Sequence, residues 1–181
     1  DKVGDSLAGR YFCHHLLPFS LAELTQAGET INIERLLERG GFPEPYFADD
    51  DIEASRWRMQ YLNSLLSTDV FEIKTIHNLK GMRLVLEMLR ERVGSPISYK
   101  SIAEEAQLSP PTVKEYIQIL ESIHVLFLVT PYSKNIARSI LKEPKVYFYD
   151  VGFVKGDIGA KLENFVAVSL LKSIYGRNDI L

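Results

Sequence analysis

Side chains able to meet a charged ligand gather between Ser109 and Lys142. Thr112, Lys114, Glu115 and Gln118 fall on the side of one predicted helix opposite its apolar residues, where each could touch a base edge or a phosphate. From Pro131 to Lys142 (PYSKNIARSILK) the chain carries three cations, Lys134, Arg138 and Lys142, and no acid, a composition suited to lying along a phosphate backbone. The same composition also suits a solvated connector or a helix end that attracts cations. Between Ser95 and Glu143 five cations face five acids, so this region has little net charge with which to drive phosphate neutralisation.

The elements that must position these residues are legible. Ile102, Ala103 and Ala106 give a short helix an apolar face, which Leu108 closes at a turn. Ser109 is a good N-cap and Pro110 suits the first helical position. Val113, Ile117, Leu120 and Ile123 then follow at helical spacing, and His124–Thr130 (HVLFLVT) is β-rich and stops at Pro131. Helix, tight turn, helix and extended strand make the pattern of a winged helix-turn-helix, with the second helix presented to a DNA major groove if DNA is the partner. Such modules also dock proteins, so the pattern alone does not choose a partner.

Other candidates are weaker. Asp49-Asp50-Asp51 lacks metal-ligand spacing and reads as N-terminal acid on the helix that follows. Glu163 is a lone carboxylate beside the apolar stripe of the last predicted helix, either a metal ligand without partners or an ordinary helix acid. Cys13 is the single cysteine, so a disulfide framework and a cysteine-based zinc site are excluded; in Tyr11–Leu17 (YFCHHLL) it reads as a buried thiol in a strand. There is no G-x-x-x-x-G-K-[ST] and no G-x-G-x-x-G.

With 181 residues, 46% of them hydrophobic, and a net charge of −3, the chain can bury one sizeable core or several small ones and is no general polyanion binder. No apolar run reaches membrane-spanning length and no signal peptide opens the chain, so a cytoplasmic setting is expected. Lacking an initiating methionine and running straight into an apolar strand, it reads as a piece of a longer protein.

Short helices are expected over Leu21–Gln26, capped by Ser20, and over Ile33–Arg39, stopped by Gly40-Gly41. Phe42-Pro43-Glu44-Pro45-Tyr46 should form a stiff turn through which helix does not continue. Helices follow over Glu53–Leu66, with Trp57, Tyr61 and Leu65 on one stripe and a bend near Asp69-Val70-Phe71, and over Met82–Arg92, burying Met82, Val85, Leu86 and Leu89. Lys145–Val151 (KVYFYDV) is a strand. Gly159–Ile174 is a helix whose buried side should be Leu162, Phe165, Val166, Leu170 and Ile174. The fold class is mainly α with a few strands (α+β).

Several strings together resemble a large prokaryotic family of AAA+ superfamily ATPases that end in a shared domain of unknown function. They are LAGR (7–10), LPFSLAEL (17–24), GGFPEPY (40–46), Arg56-Trp57-Arg58 with Tyr61-Leu62, Thr68-Asp69-Val70, the helix-turn-helix, SKNIARSILKEPKVYFYDVG (133–152) and LEN (162–164). The resemblance divides the chain into the end of an ATPase core (1–30), a helical lid (31–78), the winged helix-turn-helix (79–143) and the start of a nuclease-like PD-(D/E)XK α/β module (144–181). It implies ATP and magnesium as cofactors of a full-length protein, with none expected for this chain, which lacks the phosphate-binding loop. Arg10, Glu44 and Arg58, or Arg56 in its place, would stand on the nucleotide side, and Thr112, Lys114, Gln118, Lys134, Arg138 and Lys142 on the DNA side. Glu163 would match a first-helix glutamate that assists a nuclease metal, but the remaining site residues of such a fold are absent. Implied partners are double-stranded DNA or protein, with no membrane, and homo-oligomers are compatible with the family. The alternatives are an independent winged-helix transcription regulator and a protein-interaction scaffold.

Overall fold

A computed structural model describes residues 16–69, 78–133 and 142–178. Its helices are α1 (Leu21–Gln26), α2 (Ile33–Arg39), α3 (Pro43–Phe47), α4 (Asp51–Ser64), α5 (Leu79–Arg90), α6 (Tyr99–Ala106), α7 (Pro110–Ser122) and α8 (Ile158–Asn178). Strands β1 (Leu126–Val129) and β2 (Lys145–Phe148) form one antiparallel pair, with Leu126 opposite Phe148 and Val129 opposite Lys145. The fold is mainly helical with this small sheet, an α+β arrangement.

Local chemistry sets most of the helix ends. Ser20 and Glu23 form a reciprocal capping box that satisfies two otherwise unpaired N–H groups at the start of α1. Asn32, Asp50, Asn78 and Ser109 each accept a backbone N–H of the first turn they precede. Asp50 is therefore a cap, as its place in the acidic triplet suggests. α2 stops at Gly40, whose φ of 91° lies in the region that favours glycine. The FPEPY segment departs from the expected stiff turn. Pro43 sits at the start of a helix, where its missing N–H costs nothing, and α3 forms one turn from it. α4 ends in a wider π turn over Leu65–Asp69 instead of a simple bend; Val70, Phe71, Arg10 and Cys13 lie outside the described residues, and of the strand expected over Tyr11–Leu17 only Leu16 and Leu17 are described, neither of them in a strand.

The helix-turn-helix is α6–α7. Its turn is made by Gln107 in the left-handed region (φ 54°) and by Leu108, whose N–H donates to the Ala103 carbonyl. One core joins α5, α6 and α7 to both strands through Met82, Leu89, Ile102, Ile117, Leu120 and Phe148. Leu37, Leu62 and Leu66 from the preceding helices belong to the same core, so it crosses the boundary drawn at residue 78. β2, placed by sequence in the last segment, pairs with β1 of the helix-turn-helix unit. A smaller cluster of Leu24, Leu36 and Tyr46 packs α1 to α3 together.

α8 is rotated relative to the expectation. Leu162, Val166, Leu170 and Ile174 are 38%, 54%, 60% and 54% exposed, whereas Asn164 and Val168 are buried. Only Phe165 of the expected stripe turns partly inward, packing against both clusters. The reason lies on the edge of β2 away from β1, where Gly94 already donates to the Val146 carbonyl but the Phe148 backbone lacks a strand partner. The Phe148 N–H donates to Asn164 Oδ1 at 2.8 Å, and Asn164 Nδ2 donates to the Phe148 carbonyl at 2.9 Å. One amide thus stands in for a missing neighbouring strand and satisfies two buried backbone groups that would otherwise go unpaired. This pairing turns the Asn164 side of α8 inward and leaves the Leu162–Ile174 stripe outward.

Candidate functional site

The densest polar arrangement centres on Asp150, the acid of the YDVG string, which is wholly buried directly after β2. Its Oδ2 accepts the N–H groups of Gly41 (2.7 Å) and Phe42 (3.0 Å), and its Oδ1 accepts that of Gly152 (2.7 Å). The first two belong to the turn between α2 and α3, more than 100 residues away in the chain. At Gly40 an added Cβ would stand 2.1 Å from Asp150 Oδ1, so this glycine is needed for the carboxylate to approach as well as for stopping the helix, whereas at Gly41 a Cβ would stand 2.9 Å from the Phe19 carbonyl oxygen. Burial pushes the Asp150 carboxyl up to about 6; the three N–H donors and the Arg58 charge pull the other way without reversing the rise.

Arg58 completes this latch from α4. Its Nη1 donates to the Arg39 carbonyl at 2.8 Å, where α2 ends. Burial lowers the pKa of Arg58, which nearby Asp150 partly offsets. Arg56, the other cation that the resemblance left open, is exposed. Arg39 itself donates to Asp51 Oδ1 at 2.7 Å and to the Ala48 carbonyl. An aromatic run lies alongside: Phe42 is 5.5 Å from Trp57, 5.1 Å from Tyr61 and 6.2 Å from Phe153 between ring centres. Trp57 and Tyr61 of the expected stripe are thus packing surface against Phe42 of the glycine turn, and Leu65 packs on the main core. Glu44 is exposed in the first turn of α3, outside the latch.

The candidate DNA side is partly described. Lys114 and Gln118 are exposed one helical turn apart on α7. Thr112 is half-buried, and its hydroxyl is 2.7 Å from that of Ser109 at the helix start, so it belongs to the cap. On the neighbouring α6, Lys100 and Glu104 are 3.9 Å apart, which keeps that surface close to neutral. Lys142 is exposed just before β2; Lys134 and Arg138 lie outside the described residues.

Glu163 is already engaged. Lys145 Nζ donates to its Oε1 at 3.0 Å and Tyr147 Oη at 2.7 Å. These two bonds hold its pKa below the ordinary value, while the Tyr147 phenol is pushed up to about 12 by burial and by the carboxylate. Among the described residues no three His, Cys, Asp or Glu side chains gather in a way that could hold a metal ion. No described helix is long and apolar enough to cross a membrane.

A family profile described as a domain of unknown function (DUF8612) matches residues 30–161, which contain the latch, the helix-turn-helix and both strands. The chain belongs to this family. It is 27% identical over 162 residues to an uncharacterized protein of Mycobacterium tuberculosis, covering 88% of this chain and 36% of that protein. It is 25% identical over 206 residues to an uncharacterized protein of Methanocaldococcus jannaschii, covering 99% of this chain and 46% of that one. An uncharacterized protein of Haemophilus influenzae is 24% identical over 194 residues, with 96% and 48% covered. The chain therefore spans less than half the length of these relatives, which are bacterial and archaeal. No solved structure matches it.

Asp150 and Asn164 were not among the residues singled out for function or packing. A lone acid inside KVYFYDV, two residues before Gly152, was the available signal for the first; a small amide on a helix otherwise rich in apolar residues was the signal for the second.

Proposed function

We propose that this chain is the lid and winged-helix portion of an AAA+-type ATP-binding protein, and that it couples nucleotide state to a partner, duplex DNA in the first instance. The observation that carries this reading is the latch. In the resembling ATPases the GGFPE segment approaches the nucleotide; here Asp150 ties that segment directly to β2, the second strand of the helix-turn-helix unit. Displacement of the glycine turn would pull on the end of β2 through the two hydrogen bonds that Gly41 and Phe42 donate to Asp150. Lys114 and Gln118 are the exposed reading residues of α7, with Lys134, Arg138 and Lys142 as the backbone-contacting set, and Arg10 and Glu44 remain the nucleotide-side candidates beside Arg58. ATP and magnesium belong to the full-length protein, since this chain has no phosphate-binding loop. No cleavage chemistry is assigned to Glu163, which is spent on Lys145 and Tyr147.

A protein partner is the second reading, favoured by the exposed Leu162–Ile174 stripe of α8. The test is duplex binding by the full-length protein with and without nucleotide, repeated for a Lys114→Glu, Gln118→Ala variant and for Lys134, Arg138 and Lys142 replaced together by alanine. Expected are salt-dependent binding that nucleotide modulates and that both variants weaken, roughly tenfold or more. Binding that neither variant changes, or none at low salt, refutes the DNA reading and directs attention to the α8 stripe.

A further inference from the structure

A cleft of about 530 Å³ lies between α4 and α5, within the size range of small-ligand sites. Its cations are Arg58, Arg83, Arg90 and Lys155, against a single carboxylate, Glu87. Its apolar lining includes Leu62, Leu66 and Leu86. No residue of the Gly40–Tyr46 turn lines it, and Arg58 is the residue it shares with the latch.

The positive groups are largely fixed in place. Arg90 Nε donates to the Phe153 carbonyl at 2.6 Å, and its Nη1 donates to Glu87 Oε1 at 2.8 Å. Lys155 reaches the other Glu87 oxygen at 2.5 Å, and its backbone N–H donates to the Arg90 carbonyl at 2.9 Å. Arg58 is held by the Arg39 carbonyl. Arg83 lies one turn before Glu87 on the same face of α5, is exposed, and makes no ion pair among the described residues. One carboxylate serving two cations leaves a surplus of three positive charges around a recess with apolar walls. Positioned arginines that need little reordering are what an oxyanion with several acceptor oxygens requires.

We infer that the α4–α5 cleft binds a phosphoryl group, with Arg83 as the open ligand and Arg90 and Lys155 as the prepositioned ones. Arg58 has Asp150 and Glu38 nearby to offset its charge, so the open positive charge of the cleft is that of Arg83, Arg90 and Lys155. The phosphoryl group could come from a small polyphosphate or from a nucleic-acid backbone, and the cleft does not depend on the coupling reading above.

The test is calorimetric titration of this chain at low ionic strength with tripolyphosphate, then with a short DNA duplex alone and as competitor. Tripolyphosphate is expected to bind, and Arg83→Glu and Lys155→Gln are each expected to weaken it about tenfold or more. Lys100→Glu, on the exposed face of α6 outside the cleft, should leave it unchanged. Both substituted cleft side chains are exposed or half-exposed, and circular dichroism checks that the variants fold. Competition by the duplex assigns the phosphoryl group to nucleic acid, and lack of competition assigns it to a small ligand. No uptake of tripolyphosphate, or uptake that Arg83→Glu leaves unaltered, overturns the inference. Variants at Lys114 and Gln118 leave the cleft intact, so failure of the DNA reading is separable from failure here.

Discussion

Replacing Asp150 with asparagine should change how stability depends on pH more distinctively than it changes stability at any single pH. In the folded chain the carboxyl sits at about 6 against an ordinary value of 3.8, because it is wholly buried. The folded state therefore holds this proton more tightly than the unfolded state. Its contribution is fully present below about pH 4 and is lost as pH rises through about 6, a change of about 3 kcal/mol. Asparagine cannot ionise and removes that dependence. It also has one acceptor oxygen where the carboxylate has two. Placed at the Oδ2 position, that oxygen keeps Gly41 and Phe42 but turns an NH₂ group toward the Gly152 N–H, now 2.7 Å from Oδ1. An unsatisfied buried donor costs about 1–3 kcal/mol. Urea unfolding of both proteins from about pH 4 to about pH 8 measures the difference between them. The wild-type advantage should be greatest near pH 4 and should shrink, or reverse, by about pH 7. Taking the difference cancels Glu23, Glu87 and Glu163, whose lowered pKa values add stability in the opposite direction as pH rises. A difference that stays flat through this window, or grows with pH, would mean that the N–H donors and Arg58 outweigh burial, and the reasoning would fail.

Two further substitutions test the packing around the same strand. Gly40→Ala places a Cβ 2.1 Å from Asp150 Oδ1 at a φ of 91°, and should lower unfolding free energy by at least about 2 kcal/mol in urea titration; a change under about 0.5 kcal/mol would show that the latch yields easily. Asn164→Leu removes both partners of the Phe148 backbone and should cost about 2–4 kcal/mol, with faster amide exchange at Phe148; unchanged exchange there would show that solvent replaces the amide.

What the sequence determined by itself was local. Ser20, Ser109 and Pro110 act within one helical turn of themselves, so the start of α1 and the whole α6–α7 unit could be read from residue type and spacing. The apolar periodicity of Met82, Val85, Leu86 and Leu89 likewise left one face to bury, and all four are buried. α8 is apolar on more than one side, and there periodicity cannot choose. Tertiary structure chose, because the Phe148 backbone on the edge of β2 is satisfied by Asn164, and turning that amide inward turns the Leu162–Ile174 stripe outward. The latch was equally hidden, since Asp150 gains its meaning from N–H groups over 100 residues distant. So was the α4–α5 cleft, whose cations are scattered from Arg58 to Lys155 and become a surplus of charge only where two helices and a loop converge. Charge and hydrogen-bond partners act through space, and which residues share that space is settled by packing, whereas caps and periodicity act along the chain.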